Sequence, residues 1–166
     1  LRAGLNNVQG MYAHGQATIV LVEALAMTGD ERFRQPAQLA VDFIVAAQHD
    51  ECGWRYRPGE AGDTSVLGWQ LMALQSARSP GTGLRVPDTS LTLASYYLDL
   101  ASAQEGSLYR YQPKQGQKPT PSMTAEALLC RVYLGWTRDD PRLRKGMNWL
   151  RANHPPQETS DSLYYW

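Results

Sequence analysis

Three carboxylic acids lie near predicted helix starts and are the residues best placed for acid chemistry. Glu60 and Asp63 are three positions apart before one helix, and Glu126 lies one turn into another. A carboxyl group that protonates a substrate must itself stay protonated, which requires neighbouring carboxylates and little solvation. An Asp directly before a helix usually accepts backbone N–H groups as an N-cap, which favours its ionised form. We therefore interpret Asp63 as a cap first and a catalytic acid second, and we expect Glu126 to favour the positive end of its helix dipole.

Aromatic side chains near these acids are candidates for lining a cavity. Ring faces stabilise cations, and apolar walls bury alkyl chains. Trp69 and Trp136 belong to no repeated pattern and are the freest to face a ligand, and we add Tyr12 and Tyr56 as further ligand-binding candidates. Because Tyr56 lies in a repeated loop, stacking between repeats also explains it without a ligand.

Two basic positions are also candidates for ligand binding. Arg55, together with Arg57 and Arg110, offers guanidinium groups that would bind a pyrophosphate or another polyanion. Their recurrence in the loops equally favours packing on Tyr or capping of helix C-termini. His14 lies at a predicted helix start, where we expect a hydrogen-bonded structural role ahead of a catalytic one.

Composition excludes several functional classes. The sixteen basic and sixteen acidic residues cancel, so the sequence offers no field for nucleic acid. No apolar run approaches the roughly 20 residues of a membrane-spanning helix. Cys52, Cys130 and the three histidines lack metal-ligand spacing, so we predict neither a metal site nor a cofactor.

These candidates must be positioned by helices, because apolar residues recur with helical spacing along the whole chain. We predict three hairpins, at about 11–50, 64–104 and 121–154, within a single domain spanning 1–166. Their first helices are Tyr12 to Met27, Thr64 to Ala77 and Met123 to Trp136. The second helices carry the stripes Ala40, Phe43, Ile44, Ala47; Ala94, Tyr97, Leu98, Ala101; and Leu143, Gly146, Met147, Leu150. The helix Met123 to Trp136 has its own stripe of Ala125, Leu128, Leu129 and Val132. No strand pattern competes with this all-α prediction.

The loops between hairpins repeat as well. The sequence Trp54-Arg55-Tyr56-Arg57-Pro58 returns as Tyr109-Arg110-Tyr111-Gln112-Pro113, with every member 55 positions later. A period of this length in paired helices indicates stacked hairpins that bury their faces against their neighbours.

The chain resembles the prenyltransferase and squalene-oxidase repeat family. Ala40-x-x-Phe43-Ile44, Gln48 and Gly53-Trp54 are similar to the QW motif of squalene and terpenoid cyclases, and Lys145–Leu150 resembles the front half of that motif. The resemblance implies an α/α toroid with inner and outer rings of helices, present here as a partial ring. It also implies that the inner helices start at a central cavity, near Tyr12, Asp63 and Ser122.

The same resemblance argues against the acid chemistry of the family. Glu60-Ala61-Gly62-Asp63-Thr64 is similar to the Asp-x-Asp-Asp-Thr motif of squalene–hopene cyclases, but Gly62 falls on the middle Asp, the proton donor. Ser122-Met123-Thr124-Ala125-Glu126 is similar to an oxidosqualene cyclase motif, but Ser122 replaces its acid. With a glycine and a serine at these positions, neither motif has the carboxyl that donates the proton in the family.

Three functions follow as hypotheses. The first is a repeat domain that binds an apolar small molecule or peptide without acid-initiated cyclisation. The second is a fragment of an active terpenoid cyclase or prenyltransferase, and the third is a scaffold for self-association. As partners we expect an apolar ligand and either a homo-oligomer or completion by missing repeats. The segment Ser162–Trp166 stands where a further aromatic loop is due.

Overall fold

The computed structural model describes residues 10–153, most of which are helical, and this confirms the all-α prediction. The six helices are α1 (Gly10–Thr28), α2 (Arg34–Ala46), α3 (Thr64–Ala77), α4 (Asp88–Ala101), α5 (Pro121–Tyr133) and α6 (Pro141–Asn153). Within this part of the chain, none of the helices combines the length and apolar character needed to cross a membrane.

The helices form two rows. The first row contains α1, α3 and α5, which pack side by side in that order. The second row contains α2, α4 and α6, each packed against the helix that precedes it in the chain. Apolar side chains fill the space between the rows, and the largest of those that are fully buried include Trp54, Tyr97, Tyr109 and Leu67. A row of first helices backed by a row of second helices is the arrangement expected of stacked hairpins.

Capping residues set most of the helix boundaries. α1 ends before Gly29, which adopts a positive φ of 65°, and Asp30 then accepts the backbone N–H of Arg32. At α6, Asp140 accepts the backbone N–H of Arg142, with a proline at the first helical position. α5 differs from the prediction, because it begins at Pro121 under the hydroxyl cap of Thr120 and ends at Tyr133.

The two copies of the aromatic loop make the same backbone contacts. The carbonyl of Trp54 accepts the N–H of Asp63, the cap of α3, and the carbonyl of Tyr109 accepts the N–H of Thr120, the cap of α5. Two residues on, the carbonyl of Tyr56 accepts from the first turn of α1, and that of Tyr111 accepts from the first residue of α3. Each loop therefore joins the starts of two neighbouring first-row helices.

One element was not predicted. Ser102–Ala103 (β1) pairs antiparallel with Leu108–Tyr109 (β2), across a tight turn in which Gln104 and Glu105 adopt positive φ values of 47° and 61°. The sequence shows no strand pattern here, because two residues per strand are too few to produce an alternating pattern.

The predicted stripe of α4 is buried and that of the second helix is buried except at the partly buried Phe43, but the stripes of the last hairpin are not buried throughout. Leu128 is buried, whereas Leu129, Val132 and Met147 are 45%, 44% and 54% exposed. These three side chains line a groove of about 520 Å³ between α5 and α6. Helical periodicity locates an apolar face, but it does not say whether a neighbouring helix covers that face.

Candidate functional site

The start of α3 is organised by a fully buried carboxylate. Asp63 has extended backbone angles before the first helical turn, and its Oδ1 accepts the backbone N–H of Val66 at 2.8 Å. The hydroxyl of Ser65 donates to the same oxygen at 3.0 Å. The N-cap interpretation of Asp63 is therefore confirmed.

Four hydroxyl groups from three parts of the sequence are linked in two series of hydrogen bonds, and both series end at Asp63. The Tyr111 hydroxyl donates to Oδ2 at 2.9 Å, and the Tyr56 and Tyr111 hydroxyls are 2.6 Å apart. On the other side, the Tyr12 hydroxyl is 2.6 Å from Oγ of Ser65. Because Tyr111 and Ser65 already use their single protons toward Asp63, Tyr56 and Tyr12 must be the donors to them. We call these five residues the hydroxyl network.

Arg55 lies beside this network. Its Nε is 3.5 Å from Oδ2 of Asp63, and its guanidinium carbon is 5.2 Å from the centre of the Tyr56 ring. The side chain is one-third exposed. Its counterpart Arg110 instead donates to the carbonyls of Ala101 and Ser102 at the end of α4, which is the helix-capping role weighed from the sequence.

Burial and hydrogen bonding have opposite effects on the pKa of the Asp63 carboxyl. Burial raises its pKa, while the donors from Val66, Tyr111 and Ser65 lower it, and burial has the larger effect, so the pKa lies above its usual value. The sequence led us to expect capping alone to favour the ionised form. Burial also raises the pKa of Tyr12 to about 12, so this phenol stays a donor at neutral pH.

Glu126 supplies the second carboxyl of the site. It lies on the second turn of α5, and its side chain rests on the backbone of Gly68 in α3, where a Cβ would collide with its carboxyl group. Among the described residues it has no hydrogen-bond partner. Burial first, and the charge of Asp63 second, raise its pKa to about 8. A carboxyl with a raised pKa keeps its proton to a higher pH than usual and can then donate it in a hydrogen bond.

From the sequence we expected Glu126 to favour the positive end of the helix dipole, whereas in the structure burial raises the pKa of its carboxyl to about 8. This burial results from the close approach of α5 to α3 at a glycine. A small residue recurs at the matching place of each first-row helix, as Gly15, Gly68 and Ala125. That recurrence is the sequence signal from which a buried neighbour could have been inferred.

The candidate site consists of the hydroxyl network, Glu126 and Trp69. Trp69 is half-buried on α3, one turn after Ser65. The site thus joins a neutral carboxyl, a charged cap and aromatic surface at the starts of three neighbouring helices. Polar groups that converge beside an aromatic side chain can orient a small molecule.

The other candidates lie apart from this site. His14 faces α2, where its Nε2 donates to the Ala40 carbonyl at 3.0 Å, and burial lowers its pKa so that the ring is neutral. Glu60 accepts the backbone N–H of Arg57 within its own turn at 3.3 Å. Trp136 follows the C-terminal end of α5. The guanidinium carbons of Arg131 and Arg142 lie 5.0 and 4.0 Å from its ring centre.

Gly62 is packed too closely for any residue with a side chain to fit. In the resemblance to squalene–hopene cyclases, this position aligns with the proton donor. A Cβ there would lie 2.9 Å from the Tyr97 ring, 3.0 Å from Cα of Gly53 and 3.1 Å from the backbone nitrogen of Trp54. Contacts under about 3.4 Å at a Cβ require the neighbours to move, and two of these neighbours are backbone atoms. An acid at position 62 is therefore incompatible with this packing.

Within residues 10–153, no group of three His, Cys, Asp or Glu side chains is arranged to hold a metal ion. Comparison of the chain with models of known protein families, with curated proteins and with solved structures finds no match in any of the three. The resemblance to the repeat family thus remains a prediction from the sequence.

Proposed function

We propose that this chain is a repeat domain of the prenyltransferase and squalene-oxidase type that binds an apolar small molecule or peptide at the candidate site, without acid-initiated cyclisation. The observation that carries this proposal is the position of the Glu126 carboxyl, which lies against the backbone of Gly68 and has no hydrogen-bond partner among the described residues, while burial raises its pKa to about 8. A ligand that is mainly apolar and carries one carbonyl or hydroxyl oxygen matches such a donor. In this proposal the three described hairpins belong to a partial α/α toroid, and the first-row helices are the inner ones.

The same residues argue against proton transfer to carbon. Asp63 accepts three hydrogen bonds and an ion pair, so its charge is already used. Glu126, with a pKa of about 8, holds its proton too firmly to protonate an alkene. Of the two carboxyls, only Glu126 is left to bind a polar end of a ligand.

Ligand binding is tested by titrating the protein with farnesol and with dodecane, which lacks the hydroxyl, while following tryptophan fluorescence. We expect farnesol to bind more tightly than dodecane, and Glu126→Leu to reduce that preference about tenfold, the usual value of one hydrogen bond. Glu126→Gln is the matched control, because it keeps a donor at the same place. The variant Trp69→Phe shows whether the fluorescence change comes from Trp69. A protein that binds neither compound up to its solubility limit contradicts the proposal, and an apolar peptide titrated in the same way tests the other ligand class.

A second function, that of a fragment of an active terpenoid cyclase or prenyltransferase, is favoured by one observation. Glu126 is a carboxyl that keeps a proton near neutral pH, which is the first requirement of an acid catalyst, although a pKa of about 8 makes it a weak donor to carbon. Incubation of the protein with squalene and with prenyl diphosphates tests it. Cyclised product that disappears in Glu126→Gln would establish this function in place of the first.

A further inference from the structure

Among residues 10–153, no other element covers the apolar faces at the two ends of the helix rows. Most of the positions that match them in the neighbouring repeat are buried or partly buried. We align the first-row helices on their first turns, where Met11 and Thr64 donate their backbone N–H groups to the equivalent Tyr56 and Tyr111 carbonyls. α5 is aligned on its cap, Thr120, which matches Asp63.

Inside the molecule, each interface between first-row helices places a large polar side chain on a glycine of the helix before. A Cβ at Gly15 of α1 would lie 2.8 Å from Nε2 of Gln70 in α3. A Cβ at Gly68 of α3 would collide with the carboxyl of Glu126 in α5. The matching residue on α5 is Ala125, which is exposed. In the described part of the chain, no further first-row helix follows α5 to pack against it.

The rest of the α5 face continues the interior pattern. Leu129 matches Met72 of α3, and Val132 matches Gln75, whose amide reaches the Tyr133 carbonyl of α5 at 2.6 Å. The face that α3 uses to receive α5 is therefore present again on α5, with larger apolar side chains. It forms one wall of the 520 Å³ groove, and Met147 of α6 lines the groove as well.

At the other end of the row, α1 exposes the face that α3 and α5 turn toward the helix before them. Val20 is 67% exposed, although the residues that match it, Ala73 in α3 and Cys130 in α5, are 0% and 2% exposed where they face the preceding helix. Gln16, one turn earlier, matches the place of Glu126. Val20, Ala24 and Met27 extend this face along α1, and Met27 is 82% exposed.

We propose that a second copy of this chain docks head to tail, with its α1 face on the α5 face of the first copy. Gln16 of the second copy then covers Ala125, and Val20 packs against Leu129. Arrays of hairpins stay separate only when their end repeats present polar outer surfaces, and neither end does so here. The two faces are different surfaces, so the contact is heterologous and either closes into a ring or extends as a filament. The zero formal charge of the chain adds no repulsion between copies.

The test is the mass in solution, measured by light scattering after size exclusion from micromolar to near-millimolar concentration. We expect the protein to exceed the mass of one chain and each of Val20→Lys and Leu129→Lys to become monomeric. Leu100→Lys on α4 is the matched control, because Leu100 is 43% exposed but lies in the middle hairpin, and this variant should associate normally. Circular dichroism verifies that each variant folds.

Mixing the two monomeric variants distinguishes head-to-tail docking from symmetric pairing. Val20→Lys keeps the α5 face and Leu129→Lys keeps the α1 face, so an equal mixture should form a species of two chains and no larger one. A protein that is monomeric at all concentrations overturns the proposal, as expected if another part of the chain covers the α5 face. It is equally overturned if one variant alone still dimerises, or if the mixture stays monomeric.

Discussion

The hydroxyl groups of Tyr56 and Tyr111 are 2.6 Å apart, although these residues are the same position of two successive repeats. The Tyr111 hydroxyl donates its hydrogen bond to the buried carboxylate of Asp63, so Tyr56 donates to Tyr111. The tyrosine that recurs with the period of the sequence thus also links one repeat to the next. The resulting series of hydrogen bonds ends at the cap of α3. This relationship makes the network part of the fold as well as part of the candidate site.

Removing the two hydroxyls should therefore destabilise the protein unequally. Tyr111→Phe deprives a buried carboxylate of a donor and should lower the free energy of unfolding by about 2 kcal/mol, whereas Tyr56→Phe should lower it by about 1 kcal/mol. The exposed Tyr96 gives the control, Tyr96→Phe, which should change little. Urea unfolding of both single variants and the double variant measures the coupling. Strictly additive losses would show that the two hydroxyls do not act together.

The cap of α3 should be more important than the cap of α6. Asp63→Ala leaves the Val66 amide and the Ser65 and Tyr111 hydroxyls without their buried acceptor, so we expect a loss of about 3 kcal/mol. Asp63→Asn keeps an oxygen for Val66 and should cost about half as much. Asp140→Ala serves as the comparison, because water can replace a cap at the surface, and thermal unfolding ranks the three variants. Equal losses for Asp63→Ala and Asp140→Ala would contradict a special role of the buried network.

The helices and the Asp63 cap were predictable from the sequence because both depend on nearby residues. Periodicity gave α3 its observed bounds, and an Asp before the helix indicated the cap. The partners of Asp63 were not predictable in this way, since Tyr111 is 48 positions distant and reaches it only through the packing of two loops.

The state of Glu126 was missed for a related reason. A glutamate on the second turn of a helix has the local pattern of an exposed residue, and only the approach of α5 to Gly68 buries it. Periodicity also placed Leu129 and Val132 on an apolar face but could not show that the face is uncovered. Local rules therefore give the elements, whereas burial at the site and at the ends of the rows depends on contacts between repeats.

Placing at position 62 the acid that the resemblance to squalene–hopene cyclases would put there should damage the fold and give no new activity. In Gly62→Asp the new Cβ would meet Tyr97 and the backbone of residues 53 and 54 at 2.9 to 3.1 Å, and overpacking of this kind costs about 1–3 kcal/mol. Ala61→Asp adds the same charge at the exposed neighbouring position and should leave stability almost unchanged. Differential scanning calorimetry compares the two. If Gly62→Asp melts with the parent protein, the packing argument is wrong.

The buried carboxyl of Glu126 should make the protein less stable as the pH rises. Its pKa is about 8 in the folded protein and 4.5 in the absence of burial, so the folded state binds the additional proton throughout the interval between those values. The stabilisation is fully present below about pH 4.5 and is lost progressively as the pH rises through 8, by a few kcal/mol in all. Burial of Asp63, whose pKa is also raised, adds to this slope at the acidic end.

Glu126→Gln isolates that contribution, because glutamine has the same shape and no charge at any pH. We expect the variant to have a flatter stability profile between pH 5 and 8 and to be more stable than the parent protein at pH 8. Glu105→Gln, at a 91% exposed side chain, is the control and should follow the parent profile. Urea unfolding at a series of pH values gives the slopes. A parent profile that is flat across this interval, or one that Glu126→Gln leaves unchanged, would mean that Glu126 is ionised and open to water, and the donor on which the proposed ligand site depends would be lost.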